Sequence, residues 1–136
     1  MRLHAPAPQE IAKLWPTIRD RIGSCCERSG GKYAPADVLL NFLNGRMELW
    51  LVMDEAGAIQ ALVITEIVAY PRITVCRLLA CTGDDAALWV DLLASMEAWA
   101  KSRGCAAMEP ICRPGWERRL KPLGYRKTHV VLEKSL

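Results

Sequence analysis

Between Met47 and Met53 the chain alternates Met47, Leu49, Leu51 and Met53 with Glu48, Trp50 and Val52. That period of two predicts a strand with one well-buried face. Ahead of it the period is helical. Ile11, Leu14, Trp15, Ile18 and Ile22 recur three or four residues apart, with Arg19, Asp20 and Arg21 pointing elsewhere. A helix beginning at Gln9 and Glu10 follows, bent or divided at Pro16. Residues 2–8 read as a short extended segment or strand. Ser29-Gly30-Gly31 is a break, Pro35-Ala36-Asp37 opens a second helix, and its stripe of Val38, Leu39, Phe42 and Leu43 stops at Asn44-Gly45.

Beyond Met53, residues 54–57 form a turn, and residues 59–70 are β-rich and long enough to pair antiparallel with the first sheet strand. Pro71 closes that strand. Residues 72–81 read as a third, with Ile73, Val75, Leu79 and two thiols as its apolar members. A long helix then opens at Thr82-Gly83-Asp84-Asp85. Its apolar face is Leu88, Leu92, Leu93, Met96, Trp99 and Ala100, Glu97 and Lys101 pair one turn apart, and Gly104 caps it. Residues 105–112 are short and apolar. They can pair parallel to residues 72–81, with the helix as a right-handed crossover. Residues 113–123 form a short amphipathic helix, and residues 125–132 form a last strand. The reading is an α+β domain over residues 1–136, with a central mixed sheet flanked by helices.

Length and composition fit one compact domain: 136 residues, of which 51% are hydrophobic. The formal net charge of +3 is an ordinary balance and does not by itself imply nucleic acid. No apolar run approaches the roughly 20 residues that cross a bilayer as a helix. The first ten residues lack a secretory apolar core, so the expected location is cytoplasmic. Cys25, Cys26, Cys76, Cys81, Cys105 and Cys112 lie in apolar surroundings without a Cys-x-x-Cys spacing, and His4 and His129 sit near opposite ends. Reduced core thiols are expected, and no metal site.

The order of elements resembles the GNAT acyltransferase superfamily over nearly the whole chain. The early helical pair, the hairpin at residues 54–57, the run from Leu92-Leu93 to Ala100 and then Gly104 look like that family's first half and central helix. The closing stretch Trp116-Glu117-Arg118-Arg119-Leu120-Lys121-Pro122-Leu123-Gly124-Tyr125 is similar to the family's ending, a short helix finishing in leucine, glycine and an aromatic. The resemblance implies transfer of an acetyl or acyl group from acetyl-CoA or another acyl-CoA onto an amine of a small molecule or a protein. It places the cofactor in the cleft between residues 72–81 and 105–112, against Leu79, Ala80, Cys81, Thr82, Gly83, Ala87 and Arg113. Small divergent copies of this fold look like those carried by tailed bacteriophages, and a catalytically inactive binding or assembly protein is the alternative reading.

At the family's phosphate loop, Arg/Gln-x-x-Gly-x-Gly/Ala, this chain departs from the pattern. Asp84 stands at the basic position, Ala87 at the first glycine and Trp89 at the second. Acids at a helix start complement the helix dipole and oppose an incoming pyrophosphate. Thr82, Gly83 and the free amides would then bind an anion in a shifted geometry. For the base that takes the amine proton, Glu109 is the first candidate and Glu66 the second. The family's tyrosine acid is replaced by Leu120, and Arg113 stands where an asparagine is common. Arg113, Arg118, Arg119, Lys121, Arg126, Lys127 and Lys134 make the C-terminal third basic, and such a patch suits the phosphates of CoA, a nucleotide or nucleic acid. Glu117 and Glu133 partly neutralise it, which argues against nucleic acid as the main partner.

Overall fold

The computed structural model describes residues 1–83 and 90–136. The strands are β1 (Arg2–His4), β2 (Glu48–Met53), β3 (Ile59–Ala69), β4 (Thr74–Gly83) and β5 (Ala107–Pro110). The helices are α1 (Pro8–Arg28), α2 (Pro35–Leu43), α3 (Leu93–Ser102) and α4 (Gly115–Leu120). The sheet order is β1-β2-β3-β4-β5, antiparallel from β1 to β4 and parallel between β4 and β5. The expected α+β class, mixed sheet and parallel crossover partner are all present.

Local chemistry accounts for the main boundaries. Proline at the first position of α1 and of α2 costs no hydrogen bond, because the first helical amides have no partner within the helix. The Asp37 carboxylate accepts from the Ala34 amide at 2.9 Å and fixes the start of α2. At the end of α1 the Ser29 hydroxyl donates to the Cys26 carbonyl at 2.6 Å, and Gly30 and Gly31 follow at positive φ. Pro16 lies inside α1, which continues as one element through it.

Both faces of the sheet are covered. Ile11, Ile18, Ile22, Val38 and Phe42 cover Leu49, Leu51, Leu62 and Ile64 on one side. On the other, Leu93, Met96 and Leu120 cover Trp50, Val52, Ala61 and Val63. The expectation of a single buried face for β2 is therefore corrected, since Trp50 and Val52 are as buried as Leu49 and Leu51. A period of two shows alternation but not that helices wait on both sides.

Three further expectations change. The helix start at Thr82–Gly83 is replaced by strand: Thr82 pairs with Leu62 and Gly83 with Ala61 at the end of β4. Gly83 has a φ of 150°, and a Cβ there would lie 2.5 Å from the Ala61 Cβ, so only glycine permits this closure. After residues 84–89, which lie outside the described residues, a 3₁₀ turn at Val90–Leu92 leads into α3. Glu97 and Lys101 are not among the ion pairs of the described residues. Finally, residues 125–132 form no strand. Tyr125 is held against the Trp50 cluster, but Val130, Val131 and Leu132 are 65%, 75% and 92% exposed. Strand propensity describes fit to a neighbouring strand, and this segment has none.

Candidate functional site

Beside β5, β4 is longer than its partner. Parallel pairing runs from Val75 opposite Ala107 to Leu78 opposite Pro110, while β4 continues to Gly83 on its β3 side alone. The sequence supplies the break. Ala106 donates its amide to the Thr74 carbonyl, and the ladder's two-residue period brings residue 110 round to the same side. Residue 110 is a proline without an amide, and the Leu78 carbonyl is taken instead by Ile111 at 3.0 Å. On β4 the register steps from Ile64 opposite Ala80 to Thr65 opposite Leu78, leaving Leu79 as the extra residue of a β-bulge. A bulge and a proline meet where the two strands part.

The gap opens into a cavity of about 750 Å³. Leu78, Leu79, Ala80 and Cys81 form one wall, and Pro110, Ile111, Cys112 and Arg113 the other. It reaches both faces of the sheet. Cys25, Cys26 and Arg28 of α1, with Lys32 and Tyr33, close it on one side, and Leu93, Trp116 and Leu120 on the other. Val131 and Glu133 of the C-terminal segment also line it. Of the expected cofactor residues, Leu79, Ala80, Cys81 and Arg113 therefore come together. Thr82 is buried and Gly83 exposed at the end of β4, outside the lining, and Ala87 lies outside the described residues.

The Glu109 carboxylate does not stand alone. Arg77, its partner in the β4–β5 register, donates from Nε to Glu109 Oε1 at 3.0 Å and holds it with Nη2 at 2.9 Å. Arg77 Nη2 also donates to the Tyr70 hydroxyl at 2.6 Å, and that hydroxyl lies 3.4 Å from Glu109 Oε1. Glu66 is half-buried and faces Arg77 in register from β3. Both candidate carboxylates thus neighbour one arginine, and Arg77 reaches the cavity wall while Glu109 and Glu66 stand outside the lining. The sequence signal for Arg77 is a lone charge within the apolar run of β4.

Four thiols border the cavity, and all the cysteines are free. Burial pushes the Cys81 thiol up to about 12, Cys25 adds to the rise, and Arg28 and Arg113 oppose it. A thiol protonated at neutral pH is no nucleophile, so Cys81 is a wall residue. Cys112 is exposed, which corrects the reading of all six as core thiols. Among the described residues no group of three or more His, Cys, Asp or Glu side chains could hold a metal ion. No helix among them is long and apolar enough to cross a membrane.

No protein-family model matches the sequence, and no curated protein matches it. Solved structures do match in shape. A probable acetyltransferase superposes with a TM-score of 0.72 at 15% identity, covering 100% of this chain and 97% of the other. An aminoglycoside acetyltransferase from an uncultured soil metagenomic sample also gives 0.72, at 11% identity over 99% and 97%. A predicted acetyltransferase with acetyl-CoA from Clostridium acetobutylicum gives 0.69, at 13% identity over 98% and 95%. The chain has the GNAT acetyltransferase fold. The cavity lies among β4, α3, β5 and α4 of that fold. The departure at Asp84, Ala87 and Trp89 falls outside the described residues.

Proposed function

We propose that this protein is an acyl-CoA-dependent N-acyltransferase whose thioester lies in the gap between β4 and β5. The cavity at the parting of these strands carries the reading. Its apolar walls suit an acyl chain and the pantetheine arm, and Arg28, Lys32 and Arg113 suit phosphate. Bound acyl-CoA would supply an activated thioester carbonyl. The acceptor is an amine on a small molecule or a protein, and its nitrogen must lose a proton as it attacks.

Glu109 is assigned as the base, with Glu66 as the second carboxylate; both stand behind Arg77, which lines the cavity, so either would act from its edge. An arginine-paired carboxylate is a weak base, so its contribution belongs at the lower end of the roughly 10²- to 10⁴-fold range of general-base catalysis. Since Leu120 stands where the family places a tyrosine acid, Tyr33, the tyrosine lining the cavity, is the candidate donor to the leaving thiolate. Asp84 and Asp85 favour a second reading, a binding or assembly module of the same fold, because like charge opposes pyrophosphate at the usual loop.

Thermal unfolding in millimolar acetyl-CoA separates the two. A ligand at about 100 times its Kd stabilises by about 2.7 kcal/mol, which is a rise of several degrees in a domain of this size. An unchanged Tm at millimolar acetyl-CoA removes the enzyme reading. Where acetylation of an amine is measurable, Glu109→Gln lowers kcat about 10²-fold; an unchanged kcat removes Glu109 as base.

A further inference from the structure

The C-terminal segment runs along the cavity, where Val131 and Glu133 are part of the lining. It starts from Tyr125, packed beside Leu120 on the α3 side of the sheet, and reaches Lys32, which follows α1 on the opposite side. There Glu133 Oε2 accepts from Lys32 Nζ at 2.8 Å, an ion pair between residues 101 positions apart. The ammonium is oriented for this role, because Nζ also donates to the Ser29 carbonyl at 3.1 Å and the Lys32 amide to Ser29 Oγ at 3.1 Å. Glu133 Oε1 lies over Gly30, 3.7 Å from where a Cβ would be.

Two more cations border the same space. Arg28 comes from the last turn of α1 and Arg113 from the chain after β5, and both line the cavity together with Cys81. Neither is in an ion pair among the described residues. Arg77, the fourth basic residue of the lining, is already matched by Glu109. Glu133 is thus the acidic residue of the lining among the described residues, paired with Lys32, and a segment with most of its side chains exposed carries it there.

We propose that Arg28, Lys32 and Arg113 form an anion seat along the cavity, its Lys32 arm held in the free protein by the chain's own Glu133 and the whole taken over by the phosphates of an incoming ligand. The ligand's identity as acyl-CoA rests on the function proposed above, but the seat does not. The seat uses charged side chains, and so it does not depend on the loop where Asp84 replaces a basic residue. Displacing Glu133 is easy, since an exposed ion pair contributes little to stability and its carboxylate is an internal competitor for Lys32.

Calorimetric titration of the full chain tests it with three probes: acetyl-CoA, S-acetylpantetheine, which lacks the phosphates, and inorganic pyrophosphate. Glu133→Gln removes the competing charge and is expected to tighten acetyl-CoA and pyrophosphate about threefold, by the fraction of competent seat it frees. Arg28→Ala with Arg113→Ala is expected to weaken both about tenfold, the loss of about 1.4 kcal/mol. S-acetylpantetheine is unchanged in either variant, and circular dichroism checks that each folds. Equal acetyl-CoA affinity in all three proteins overturns the seat and leaves the acyltransferase reading standing. Pyrophosphate binding that follows the variants while acetyl-CoA fails to bind upholds the seat and removes acyl-CoA as the ligand. Binding of neither phosphate compound removes both.

Discussion

One hydroxyl holds together the polar interior of this domain. Thr65 is fully buried and accepts from the Trp50 indole Nε1 at 2.9 Å while donating to Glu48 Oε2 at 2.8 Å. Burial raises the Glu48 carboxyl above its ordinary range, with the Thr65 bond and Arg103 opposing the rise. Trp50 is fixed from the other side by Trp99, edge to face at 5.0 Å, and Arg103 stacks over Trp99 at 5.3 Å. Replacing Thr65 by valine keeps the shape but leaves an indole donor and a carboxylate without their partner. Each orphaned group costs about 1–3 kcal/mol, so Thr65→Val is expected to destabilise by about 2–4 kcal/mol. Thr65→Ser keeps the hydroxyl and loses one methyl, about 1 kcal/mol. Urea unfolding compares the two, and equal losses would show that packing rather than the hydroxyl matters. None of this was legible along the chain. Alternation marks Glu48 as an off-face position, and only the register between β2 and β3 sets it opposite Thr65.

At the scale of elements, what the sequence states well is what its local chemistry decides. The two N-terminal helices, the hairpin, β4, the parallel β5 and α4 all follow from period, proline and glycine. The misses occur where a neighbour overrides local preference. Thr82 and Gly83 read as a helix start, but β3 extends far enough to pair with them, and residues 125–132 read as a strand but find no ladder. Glu109 is legible as a carboxylate on the strand after the central helix, whereas its pairing with Arg77 depends on strand register. Pro110 and the Leu79 bulge meet where the cavity opens, and replacing the proline tests its share. Pro110→Ala offers the Leu78 carbonyl a ladder donor at residue 110 in place of Ile111, so one hydrogen bond is exchanged for another as the ladder runs one position further. What remains is the unfolded-state entropy regained without proline, so stability should fall by about 0.4–1 kcal/mol. Acetyl-CoA affinity, in the proposed function, should fall several-fold as the gap narrows. An equal affinity in titration would mean that the Leu79 bulge alone holds the strands apart.

For the molecule as a whole, burial of its thiols couples the fold to alkaline pH. Cys76 is wholly inaccessible and Cys81 borders the cavity. Burial is the chief cause that pushes each up to about 12, from an ordinary 9.0. In the unfolded chain both ionise near pH 9, whereas in the folded protein both stay protonated to about 12. Raised thiol pKa values therefore act in one direction: their contribution is intact below pH 9, falls as pH rises from 9 to 12, and levels off beyond. Three pH units amount to about 4 kcal/mol for a fully buried thiol such as Cys76, a large part of the total stability of a small domain. Tyr125, also raised mainly by burial, adds to the same trend at the top of the range. Urea midpoints measured from pH 7 to 11 should thus be flat at first and then fall. Cys76→Ala gives the control. It should be less stable than wild type at pH 7, because a buried group is lost, and the difference should shrink steadily above pH 9 as the wild-type thiol becomes a liability. A constant difference from pH 7 to 11 would show that Cys76 ionises as readily in the folded domain as in the unfolded chain, and that water reaches the sheet beneath α3.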